Sequence, residues 1–210
     1  VKIAPALAAG NTIVLKASEE ASTPLLAFGK LVAEAGIPDG VVNIVTGHGE
    51  PCGRALTSHP LVARVAFTGG PKAAAQVVRN TANNFAAVSL ELGGKSPFIV
   101  FDDANLESAV NGSVAGIFGA SGQSCVAGSR LFLQEGIADR FLDAMTRTAQ
   151  GIRIGDPMAE ETEMGPLCTA AQVSHIRQQV DRALEQGASL ITGGHQPEGL
   201  GPQFFEPTII

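Results

Sequence analysis

Strand-like apolar runs and helix-patterned stretches take turns along this chain, and glycine sits at nearly every change of pattern. Residues 12–16 form a short apolar run after Gly10-Asn11, which is the pattern of a buried strand. Residues 24–35 follow with Leu25, Leu26, Phe28, Leu31 and Val32 at helical spacing. There Thr23 suits the N-cap, Pro24 the first helical position and Gly36 the stop. Residues 41–45 read as a second strand, and a Gly47-His-Gly49 turn leads into a helix over 51–57. A strand over 62–67, a helix over 72–80 and a strand over 86–92 continue the alternation. Strands joined by crossover helices and short glycine turns build a parallel sheet, so the pattern predicts an α/β fold.

The pattern restarts after Gly93-Gly94. It predicts a strand over 96–101, a helix capped by Asn105 and running to Phe118, and a strand over 130–134. An amphipathic helix over 137–152 carries Phe141, Leu142, Met145 and Ile152, and Val173, Ile176, Val180 and Leu184 mark another. Residues 190–192 read as a last strand, ended by Gly193-Gly194. Two α/β units are therefore expected, residues 1–93 and residues 94–210.

Charge narrows the partners. Fourteen basic residues against 20 acidic ones give a net charge of −6, without the basic cluster that nucleic-acid phosphates require. No apolar run reaches the length of a membrane span, so neither nucleic acid nor membrane is an expected partner, and a cytoplasmic location is the default. Three cysteines without CxxC spacing argue against a disulfide framework or a zinc site. His48, His59, His175 and His195 lie too far apart for a metal motif; they read as ordinary loop histidines, and no metal is expected.

Two glycine-flanked segments carry chemistry. The first is Val88-Ser-Leu-Glu-Leu-Gly-Gly-Lys-Ser-Pro97, which sets Glu91 at the end of a strand. The second, Gly122-Gln-Ser-Cys-Val-Ala-Gly-Ser-Arg130, sets Cys125 outside regular helix. A thiol that attacks carbon and a carboxylate that activates water are the pair covalent carbonyl chemistry needs. Each also has a bland alternative: a cysteine among small residues is often a buried apolar group, and a strand-end carboxylate is often only solvated. Cys52 and Cys168 lack such company and read as structural. Gly94-Lys95-Ser96 resembles the end of a phosphate loop, but Ser89 stands where that loop needs glycine. Gly47-His-Gly49-Glu-Pro-Cys-Gly53 is one residue too long for a dinucleotide fingerprint.

Together the Glu91 and Cys125 segments closely resemble the aldehyde dehydrogenase superfamily, and the similarity extends through Asp156-Pro157, Glu163-Met-Gly165-Pro166 and Phe205-Glu-Pro-Thr208. The resemblance implies a Rossmann-like parallel sheet of a cofactor domain in residues 1–93 and part of an α/β catalytic domain in residues 94–210. It makes Cys125 the nucleophile toward an aldehyde and Glu91 the base that releases a thioester to water, which partial burial of Glu91 would assist. Lys16, Ser18 and Glu19 resemble the segment that holds adenosine ribose. Phe67, Thr68, Gly69, Gly70 and Ala74 resemble the turn near the pyrophosphate, and Gly49, Gly53 and Leu92 join the cofactor set. Gly70, Pro71 and Ala74 depart from the family's Phe-Thr-Gly-Ser-Thr-x-x-Gly, and Pro71 removes one amide donor there. A carboxylate at Glu19 favours NAD, with NADP possible because Lys16 offsets it.

Gly119-Ala-Ser121 would line the substrate entrance. The resemblance further implies a homo-oligomer at full length, and this chain matches only the middle of such an enzyme. The segments that supply an oxyanion-hole Asn and a nicotinamide-ribose Glu are missing, so these 210 residues alone are expected to be inactive. The competing reading is a catalytically silent, nucleotide-binding or redox-sensing remnant of the same family.

Overall fold

The computed structural model describes residues 2–210. They form two compact units, the first ending at Leu92 and the second spanning Gly93–Ile210. The first contains α1 (Ile3–Ala8), β1 (Ile13–Lys16), α2 (Ser22–Glu34), β2 (Val42–Val45), α3 (Arg54–Thr57), β3 (Arg64–Gly69), α4 (Pro71–Thr81) and β4 (Ala87–Leu92). The second contains β5 (Pro97–Val100), α5 (Leu106–Phe118), β6 (Arg130–Leu133), α6 (Glu135–Gln150) and α7 (Ala170–Glu185).

Three strand–helix–strand units account for all six strands. β1 pairs with β2 across α2, β3 with β4 across α4, and β5 with β6 across α5, each ladder parallel. The α/β class predicted from the sequence is the class observed. Among the described residues each sheet is a pair of strands consecutive in the chain.

In the first unit α4 turns Ala74 and Val77 inward, and loops tie the layers together. Asn80 Nδ2 donates to Thr57 Oγ1 at 2.9 Å, and Asn84 Nδ2 donates to the carbonyls of Thr57 and His59. In the second unit Ile137, Phe141, Met145 and Ala149 recur every four residues along α6. They bury one stripe against Val100 of β5 and Val110 of α5. Phe98, Leu131 and Leu133 face this core, whereas Ile99 and Phe132, directly opposite one another in the ladder, turn the other way and are 60% and 50% exposed. A smaller cluster of Leu167, Val173, Val180 and Phe205 holds α7.

Local departures from the sequence pattern have local causes. α2 starts at Ser22, ahead of the expected Thr23 cap, because the Ser22 hydroxyl donates to the Ser18 carbonyl and anchors an earlier turn. β3 is shifted toward Gly69 by its register with β4, and residues 49–53 form a wide turn that leaves only Arg54–Thr57 as helix. Residues 190–192 do not form a strand; Thr192 makes a single antiparallel bridge to Ile209. α1 was not predicted. It is six residues long and has no side-chain cap, and Pro5 sits in its first turn, where a missing N–H costs nothing.

Candidate active site

The ends of β1 and β2 build one corner of the site. Lys16 and Val45 are register partners, so the turns that follow these strands emerge side by side. The Lys16 ammonium donates to the Ala17 carbonyl at 2.6 Å and to Glu19 Oε1 at 3.2 Å. Glu19 is held below the usual carboxylate range, first by its own backbone N–H, then by the hydrogen bond from Lys16, with the Gly49 N–H adding to both. Gly53 lies against the Lys16 stem, where a Cβ would stand at ordinary contact distance, 3.6 Å from Lys16 Cδ; Gly49 has open space where a side chain would be. Ser18 anchors the turn through its carbonyl, which accepts from Ser22 Oγ at 2.8 Å. Lys16, Ser18, Glu19, Gly49 and Gly53 thus stand together. An ionised carboxylate and open glycine backbone suit a ribose diol, so the residues present fit a dinucleotide.

The ends of β3 and β4 carry a second group of candidate residues. Thr68 is the register partner of Glu91, and Gly69 that of Leu92, at the C-terminal edge where parallel sheets receive ligands. Gly69 gives the Phe67 ring its place: a Cβ at 69 would stand 2.6 Å from the ring's tip, which would have to move aside. Gly70 is extended, with open space beside it, and Pro71 opens α4. Ala74 does not join this edge. It is 3% exposed, its side chain packs inward and its amide donates to Gly70 O at 3.0 Å, which leaves it nothing to offer a ligand. Glu91 is exposed among the described residues.

One neighbour of Glu91 escaped the sequence reading. Burial lowers the pKa of the Lys2 ammonium, and the negative charge of Glu91 partly offsets that shift. The only sequence signal was a lysine in an otherwise apolar opening, which by itself points nowhere.

Cys125 lies in the second unit, on the loop that leads into β6, and its side chain is exposed. The backbone ahead of it is unusual: Ala120, Ser121 and Gly122 are all left-handed, with φ of 51°, 54° and 72°. A non-glycine residue in that region costs on the order of 1–3 kcal/mol and persists only where surrounding contacts hold it. Such contacts are present. Ser121 Oγ donates to the Gly165 carbonyl at 2.9 Å, and Gln123 Oε1 accepts from the Cys168 amide at 3.0 Å. Gln203 Nε2 then donates to the carbonyls of Leu167 and Cys168, bracing the same segment from its other side.

Cys168, read as structural from the sequence, contributes backbone only; its thiol is exposed. Among the described residues no three His, Cys, Asp or Glu side chains converge on a metal site, and no helix is long and apolar enough to cross a membrane.

Known proteins share this arrangement of elements. The chain is 58% identical to (Z)-2-((N-methylformamido)methylene)-5-hydroxybutyrolactone dehydrogenase of Acinetobacter baylyi, over all of its own length and 43% of that protein's. It superposes on PnpE, crystallised with nicotinamide adenine dinucleotide, with a TM-score of 0.96 and 46% identity, covering 99% of this chain and 43% of that one. An NADP-dependent enzyme of E. coli matches with a TM-score of 0.94 and 42% identity, covering 97% of this chain and 42% of that one. This chain therefore spans about two fifths of the length of these relatives. The family model for the aldehyde dehydrogenase family matches residues 1–210 from end to end, and on that match the chain belongs to the aldehyde dehydrogenase family.

Proposed function

We propose that the intact protein oxidises a small aldehyde to its carboxylic acid with NAD or NADP, through a thioester on Cys125. The observation that carries this reading is the exposed Cys125 on a loop whose strained backbone is pinned at Ser121 and Gln123. Strain held by specific hydrogen bonds is common where a reactive group must be presented at a fixed angle.

In this reading the Cys125 sulfur adds to the aldehyde carbon, and its backbone N–H helps hold the oxygen that becomes negative. A bound nicotinamide supplies the acceptor for the hydride that leaves that carbon. Glu91 then takes a proton from water, whose oxygen attacks the thioester and releases the acid and the thiol. Lys16 and Glu19 hold the adenosine ribose, while Gly69 and Gly70 bring backbone close to the pyrophosphate. Residues up to 93 serve as the cofactor portion and residues 94–210 as the nucleophile-bearing portion. Three free thiols fit a reducing compartment, consistent with the cytoplasm, and the assembled protein is read as a homo-oligomer.

Glu91→Gln in the intact protein tests the two half-reactions. The expected result is an NADH burst near one equivalent per site, followed by steady turnover reduced about a hundredfold or more, with the acyl group on the Cys125 peptide by mass spectrometry. Cys125→Ala should remove the burst and leave nucleotide binding intact. Normal turnover in either variant overturns the assignment of that residue.

A further inference from the structure

One ionisable side chain beside the proposed ribose corner has no role in the mechanism above. His48 Nδ1 lies 3.9 Å from Glu19 Oε1, the same oxygen that accepts from Lys16. The amide of its neighbour Gly49 is among the groups that favour an ionised Glu19, so the turn bearing His48 lies beside the carboxylate it faces. The imidazole is 83% exposed and packs under nothing. Lys16 and Glu19 on the turn after β1 are the charged groups at this corner, and Glu50, Cys52 and Arg54 follow His48 in the chain.

We propose that His48 makes the discrimination between NAD and NADP depend on pH, an inference that rests on the assignment of Lys16 and Glu19 to the adenosine ribose. With a neutral imidazole, Glu19 presents its charge to the ribose 2′ position, where a hydroxyl is welcome and a phosphate is repelled. Histidine is the side chain whose charge ordinarily changes between about pH 5 and 8. An imidazolium at 3.9 Å counters the Glu19 charge and adds a donor to the 2′-phosphate, beside Lys16. The 2′-phosphorylated cofactor therefore gains on the unphosphorylated one as the pH falls. The glutamate and lysine of this corner set the basal preference; His48 adjusts it.

The test is calorimetric affinity for NAD and for NADP on the intact protein between about pH 8.5 and 6, in the wild type, H48Q, H48K and E19Q. The 2′-phosphate of the free cofactor takes up a proton over the same range whatever the variant, so H48Q supplies that background. The wild-type ratio of Kd for NADP to Kd for NAD should fall about three- to fivefold more than the H48Q ratio, the scale of one exposed ion pair. H48K should hold the ratio at or below the wild-type low-pH value throughout. Because His48 is exposed and no bond is known to depend on it, these variants should fold normally, which circular dichroism checks. Coincident wild-type and H48Q profiles overturn the proposal. If E19Q still shifts the ratio in that case, the ribose assignment stands without His48. If E19Q and H48Q both leave each Kd unchanged, the ribose assignment falls and the proposal falls with it.

Discussion

Gly10 and Gly193 have nearly the same backbone, with φ of +75° and +74°, yet opposite surroundings. A Cβ at position 10 would meet nothing, whereas one at 193 would stand 2.2 Å from the Pro207 carbonyl oxygen. Gly10→Ala should therefore cost only the left-handed penalty, about 1–2 kcal/mol. Gly193→Ala should cost clearly more in denaturant unfolding, and equal losses would show that the 193–207 contact yields freely. Gln123 offers a second test, this time of position and not of stability. Gln123→Ala removes the acceptor for the Cys168 amide, two residues from the proposed nucleophile. The NADH burst should slow about tenfold, a loss of roughly 1.4 kcal/mol in positioning, while Kd for NAD stays within twofold. Glu19 predicts a pH effect. Its pKa is depressed in the folded chain, so it contributes stability above the unfolded carboxylate range that is lost as the pH falls through the folded value. Glu19→Gln should flatten the acid limb of the unfolding curve. Glu91 and Cys125 were singled out in the sequence by their glycine-flanked segments and the family resemblance those segments carry. Lys2 and His48 were not, because their significance lies in proximity to Glu91 and Glu19, and no spacing rule encodes that.

Among the elements, side-chain caps decided what could be read in advance. Asn105 was predicted to open α5, and its side chain accepts from the Ser108 amide at 2.9 Å. α2 has no side-chain cap; a serine hydroxyl reaching back to Ser18 sets its start, and the sequence pattern misplaces it. Strand ends are less legible still, since pairing register fixes them and register is a relation between two segments. Removing a cap that works should show in stability: Thr169→Ala deletes the acceptor for the Gln172 amide at the start of α7. A loss of about 1 kcal/mol is expected, with hydrogen exchange faster in the first turn of α7 than in α6. Unchanged exchange there would mean that packing through Val173 and Val180 alone holds the end.

At the scale of the whole chain, the second unit rests on one stripe. Phe141 is wholly buried at its centre, between Ile137 and Met145, so Phe141→Ala should cost about 3–5 kcal/mol and unfold that unit first. The opposite side of β5 and β6 tells another story. Parallel strands ordinarily bury both faces, yet Ile99 and Phe132 stand uncovered as a matched pair. An aromatic and an aliphatic side chain lie adjacent there, and apolar surface left open to water is what makes a polypeptide adhere to its own kind. These 210 residues made alone should therefore self-associate as their concentration rises, and Ile99→Lys, which leaves the α6 stripe untouched, should lower that association in sedimentation.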